Sequence, residues 1–87
     1  MFVKSITSSG SVFTGTSLVY AVVLVGGSDN SSVIIYDNSS AAGTVKIELK
    51  TLANDSKTVE FKKSVKFNTG LYGTLAGTGA KLYVYFE

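Results

Sequence analysis

The chain has 87 residues, with eight lysines against six acids, no arginine, no cysteine and no histidine. That length suits one domain, which buries only about 60–65% of the surface its unfolded chain exposes and is stable by roughly 4 to 13 kcal/mol. The missing residues exclude disulfides and remove the commonest transition-metal ligand, and a net charge of +2 without arginine argues against a dedicated nucleic-acid binder.

Residues 2–7 alternate well enough to predict a first strand, ended by Ser8-Ser9-Gly10. Val12 and Phe13, between Gly10 and Gly15, belong to a short strand or an ordered crossing loop. Next comes the one run of eight apolar residues, 18–25, within SLVYAVVLVGG. Strict alternation would place Leu18, Tyr20, Val22 and Leu24 on one face and Val19, Ala21, Val23 and Val25 on the other. With both faces apolar the strand belongs in the middle of the fold. Eight residues in a helix rise about 12 Å against a bilayer core of about 30 Å, so the run reads as a buried strand and not a membrane span. No signal peptide is expected from the start Met1-Phe2-Val3-Lys4.

GGSDNSS, residues 26–32, is a concentrated turn signal in which glycine supplies positive φ and Asp and Asn bond their own backbone. It is expected to close a hairpin that lays VIIY, residues 33–36, beside the central run. DNSS then recurs at 37–40, so that one tetrapeptide flanks VIIY at both ends. In residues 44–50, Val45, Ile47 and Leu49 face in and Lys46, Glu48 and Lys50 face out, the pattern of a half-exposed strand. Residues 53–56 turn the chain, Val59 and Phe61 resume the inward face, and Lys63-Ser64 marks a bulge or bend before Val65 and Phe67. Gly70, Gly73, Gly77 and Gly79 read as tight turns. The final strand, 80–86, sets Leu82, Val84 and Phe86 against Lys81, Tyr83 and Tyr85.

Seven to eight short strands without a long helical period predict an all-β fold: residues 1–87 as a single small antiparallel β-sandwich, jelly-roll or immunoglobulin-like. No helper staple is visible, so self-association is the remaining source of added stability.

Chemistry is sparse. Without His no conventional base can activate a Ser nucleophile, and the lysines fall on wet faces or in turns, so no enzyme activity is expected. Glu48 and Glu60 would face each other across a hairpin turning at 53–56, but among outward lysines they read as cross-strand ion pairs. Asp29, Asp37 and Asp55 lack a calcium-loop spacing and read as Asx turns, so neither metal nor cofactor is expected. The sequons at Asn30, Asn38 and Asn54 are by-products of the same turn vocabulary. GLYGTLAGTG lacks the Gly-Lys-Ser/Thr ending of a phosphate loop. The face of Lys81, Tyr83 and Tyr85 suits burial against another subunit, where Tyr is enriched, better than a base- or sugar-stacking platform. Tyr72 joins these three as a candidate interface residue. The alternative is a small carbohydrate-binding module using Tyr72, Tyr83, Tyr85 and the Asp29 and Asp37 turns.

The blocks LVYAVVLVGGSDNSSVIIYDNSSAAGT and VKFNTGLYGTLAGTGAKLYVYFE resemble small virion structural proteins of tailed bacteriophages, marine ones included. The likeness covers most of the chain after Thr16; VGGSDNSSVIIYDN and the FNTGLY...GTGA spacing are its distinctive parts. The resemblance implies a non-enzymatic assembly role in capsid decoration, head-tail joining or the tail, with the chain itself and other virion proteins as partners. It also implies synthesis in the host cytoplasm and residence in the virion, with no catalytic residue to transfer.

Overall fold

The computed structural model describes residues 2–87, which form eight antiparallel strands and no helix. In chain order these are β1 (Phe2–Ile6), β2 (Gly10–Thr14), β3 (Ser17–Val25), β4 (Ser31–Asp37), β5 (Thr44–Thr51), β6 (Ser56–Phe67), β7 (Gly70–Ala76) and β8 (Lys81–Phe86). Four pairings, β1 with β8, β2 with β7, β3 with β6 and β4 with β5, make one long antiparallel ribbon folded at the β4–β5 turn. Rolling that ribbon brings β8 beside β3 and β7 beside β4. The result is two four-stranded sheets, β1-β8-β3-β6 and β2-β7-β4-β5, face to face. Successive strands switch sheets at every connection except β4–β5, which is the jelly-roll order and not the immunoglobulin one.

The core lies between the sheets. Val19, Val22, Leu24, Leu82 and Val84 from one meet Val33, Ile35 and Leu71 from the other, all fully buried. At about 25 cal/mol per Å² of apolar surface, full burial of each such side chain contributes about 1.5–3 kcal/mol, offset by the entropy of ordering it.

VIIY does not pair with the central run. The 26–30 segment crosses from one sheet to the other, and β3 and β4 become inner strands of opposite sheets. Being apolar on both faces made each an inner strand; it carried no information on which neighbour hydrogen-bonds to it. The alternation in β3 also breaks. Register shifts between Val19 and Ala21, so Ser17, Val19, Val22 and Leu24 point inward, while Ala21 and Val23 point out with Tyr85 and Tyr83. The bulge expected at Lys63-Ser64 is present: between Val65 and Glu60 the longer β6 carries four residues opposite the single Tyr20. A further bulge at Lys46 places Val45 opposite Tyr36 on the outer face, 47% exposed, against the inward expectation.

GLYGTLA is strand β7 and not a series of turns. Gly73 faces the core, where a Cβ would stand 3.0 Å from Ile6 Cδ1 and 3.4 Å from Leu82 Cδ2, so the glycine makes room for packing. Gly26 and Gly27 likewise lack positive φ, which occurs at Gly15, Gly43, Gly77 and Gly79 and at Asn54. They serve close approach: Gly26 N–H donates to Asp55 O (2.7 Å), Asn54 N–H to Gly27 O (2.8 Å) and Ser28 N–H to Thr78 O (3.0 Å), tying three loops together.

At the other end of the sandwich Asp37 is more than a local Asx turn. Its carboxylate accepts backbone N–H groups from Asn68 (3.0 Å), Thr69 (2.8 Å) and Gly70 (3.4 Å), clamping the β6–β7 turn to the end of β4. The Thr69 and Asn68 amides, helped by Gly70 and by the charge of Lys46, hold this carboxyl below its ordinary value against a smaller opposing effect of burial. Asn38 and Asp55 do make local turn bonds, to Ser39 N–H (2.7 Å) and Ser56 N–H (2.8 Å).

Candidate functional site

The pleat of β8 sends Leu82, Val84 and Phe86 into the core and Lys81, Tyr83 and Tyr85 outward, as the alternation predicts. Register then fixes their neighbours. One row across the outer face of the first sheet runs Val3, Tyr85, Ala21, Glu60; the next runs Ser5, Tyr83, Val23, Thr58. Lys81 lies opposite Val25 at the end of the sheet. Two large side chains on β8 thus stand beside two small ones on β3. Beside Tyr85 lies a groove of about 390 Å³ lined by Ala21 and Val23 of β3 and by Thr58, Glu60 and Phe61 of β6. Val3 is 58% and Tyr85 36% exposed, and no element of the described residues packs over this face.

The bulged Tyr20 closes one end of the groove. Its Oη donates to Glu87 Oε2 at 3.0 Å, and that bond, together with burial and the carboxylate charge, raises the phenol above its ordinary value of 10.0.

Tyr72 is not part of this surface. It lies on the outer face of the second sheet in the row Ser11, Tyr72, Tyr36, Val45, so the two sheets separate it from Tyr83 and Tyr85. The four candidate residues therefore divide into Lys81, Tyr83 and Tyr85 on one face and Tyr72 on the other. No single ligand of modest size touches Tyr72 together with Tyr83. Asp29 and Asp37 also separate: the first is in the β3–β4 crossing at one end, the second at the far end of β4. Glu48 and Glu60 do not face each other, because β5 and β6 belong to different sheets. Among the described residues no group of three or more acidic, Cys or His side chains is placed to hold a metal ion.

Two features of the surface were not anticipated. A groove of about 440 Å³ opens at the loop end, lined by Asn30, Ser32, Lys50 and Leu52; it arises where the β3–β4 crossing meets the end of β5, and no local pattern announces it. The edge strands β5 and β6 carry six of the eight lysines, all exposed, against Glu48 and Glu60. Lysine on an edge strand discourages unwanted strand pairing. The outer face bearing Tyr83 and Tyr85 carries its charges around those two residues: Lys81 at one end, Glu60 on β6, and Glu87 and Lys66 toward the Tyr20 end.

No family model, curated protein or solved structure matches the chain.

Proposed function

We propose that this chain is a non-enzymatic structural protein of a bacteriophage virion that acts by symmetric self-association through the outer face of the β1-β8-β3-β6 sheet. The observation that carries the reading is the pair of rows Val3-Tyr85-Ala21 and Ser5-Tyr83-Val23, an aromatic and aliphatic surface left uncovered by the chain's own strands. Tyrosine is enriched in the cores of protein interfaces and charge is depleted there, which matches these rows. Jelly rolls build viral capsid shells, and they also build lectins; the likeness of strand order is an analogy of fold and adds to the sequence resemblance without choosing a site.

A small sandwich with no cysteine to form a disulfide gains stability when copies bind one another, because association draws the folded state out of its equilibrium with the unfolded one. Capsid decoration, head-tail joining and tail roles all use that property.

Two measurements test the reading. Sedimentation velocity from about 10 μM to 1 mM is expected to show concentration-dependent association, and mass spectrometry of purified particles is expected to find the protein in multiple copies. A monomer throughout that range together with absence from particles would refute it.

A further inference from the structure

Resting on the self-association proposed above, we infer that the outer face of the β1-β8-β3-β6 sheet packs on the same face of a second copy about a two-fold axis running parallel to the strands, between β8 and β3. A two-fold interface requires one patch to be complementary to itself. This face meets that condition in an identifiable way. On β8 the outward residues Tyr83 and Tyr85 form a ridge; on β3 their register partners Val23 and Ala21 form the adjoining groove, about 390 Å³ in volume. An axis between the two strands exchanges ridge for groove and leaves each row in place. Tyr85 of one copy then lies over Ala21 of the second, and Tyr83 over Val23, in both directions at once.

Facing layers interdigitate when large residues oppose small ones, which is how sheets about 10 Å apart fill the space between them. The competing two-fold, perpendicular to the strands at the Tyr83 row, sets Tyr83 on Tyr83 and leaves both grooves unfilled. Charge agrees with the first arrangement. Along the Tyr85 row the ends are Val3 on β1 and Glu60 on β6, so each Glu60 comes over the second copy's Val3 at the rim, where water reaches it; the two Lys81 side chains flank the axis at the open end of the sheet, where solvent screens them.

The patch spans four strands and about five residues, roughly 20 by 17 Å, so the pair buries on the order of 700 Å² in total. Stable specific interfaces bury about 1,200–2,000 Å². A single contact is therefore weak, and its usefulness lies in repetition: many copies held on one particle convert weak pairwise contacts into avidity.

Sedimentation velocity on the full chain and its variants tests the geometry, with circular dichroism to verify folding. Tyr85→Ala removes the ridge and Ala21→Tyr fills the groove; each is expected to weaken association at least about tenfold. The exchange variant carrying both substitutions puts the large residue on β3 and the small one on β8, restores the match under this axis alone, and is expected to return to within about threefold of the parent.

A second pair avoids the packed rows. Val3 is 58% exposed, so substitution there spares the fold. Val3→Glu brings like charges together over the second copy's Glu60 and is expected to weaken association, whereas Val3→Lys supplies an opposite charge and is expected to preserve or strengthen it, the difference shrinking as salt is raised. Parent association with equal behaviour of the two Val3 variants and no recovery in the exchange variant would overturn this geometry while leaving self-association through another surface intact. A parent chain that stays monomeric throughout would overturn both.

Discussion

Replacing Gly27 by alanine probes the crossing that sends the chain from one sheet to the other. A Cβ at this position would collide with the Thr78 carbonyl oxygen and stand 2.6 Å from Gly79 C and 2.8 Å from Gly79 Cα. All three neighbours are backbone, so no side chain can rotate away. The β7–β8 turn must move, and with it the Ser28 N–H to Thr78 O hydrogen bond of 3.0 Å. Overpacking costs about 1–3 kcal/mol and one lost hydrogen bond about 0.5–1.5, giving a destabilisation of roughly 2 to 4 kcal/mol. For a domain of this size that lowers Tm by about 10–30 °C. Thermal unfolding followed by circular dichroism reads the shift, with Gly10→Ala as the reference, because a Cβ at Gly10 meets nothing within 4 Å. If the two alanine variants melt within a few degrees of each other, the close approach of these loops is not what requires glycine at position 27.

Asp37→Asn is expected to cost about 1 kcal/mol at pH 7, since a neutral amide accepts the Asn68, Thr69 and Gly70 amides less strongly than a carboxylate does. Asp37 titrates below its ordinary 3.8 when folded, so its contribution is fully present above the unfolded value and disappears as pH falls through the folded one. The Tm gap between parent and variant should accordingly close on acidification below about pH 4; a gap that persists unchanged to pH 2 would rule out the carboxylate as its source. Ser17→Ala is expected to raise the urea midpoint by about 0.5–1 kcal/mol equivalent, because the buried Ser17 Oγ has no hydrogen-bond partner. A lowered midpoint would show that the hydroxyl contributes to packing instead.

The residues differ in how much of their role is legible locally. Tyr83 and Tyr85 alternate with Leu82, Val84 and Phe86 over a strand free of bulges in its pairing with β1, and a two-residue period was enough to place them outward. Ala21 and Val23 were assigned to the correct relative face from Val22 and Leu24, but the bulge at Tyr20 separates them from Val19, which strict alternation would have kept on their side. Tyr72 looked equivalent to the β8 tyrosines by composition and sits on the opposite face of the molecule, because β7 and β8 are consecutive in the chain and belong to different sheets. Asp37 resembled its neighbours in every DNSS turn, yet its carboxylate serves amides more than thirty residues away.

By itself the amino-acid pattern determined that this is an all-β chain, where most of its strands and turns lie, β7 excepted, that the apolar run at 18–25 and VIIY are interior strands, and which side of the last strand faces water. These follow from the pleat and from turn chemistry, both of which act within a few residues. The tertiary structure decided the pairing of β1 with β8 and β2 with β7, the placing of β3 and β4 in opposite sheets, and the adjacency of a tyrosine ridge to an alanine-valine groove. Strand pairing depends on backbone hydrogen bonds that any residue but proline can offer, and a bulge needs only one unmatched residue. Pairing leaves no local mark on the side chains, and the bulges at Tyr20 and Lys46, unlike that at Lys63-Ser64, left none either, so the surface on which self-association would depend exists only once the ribbon has rolled up.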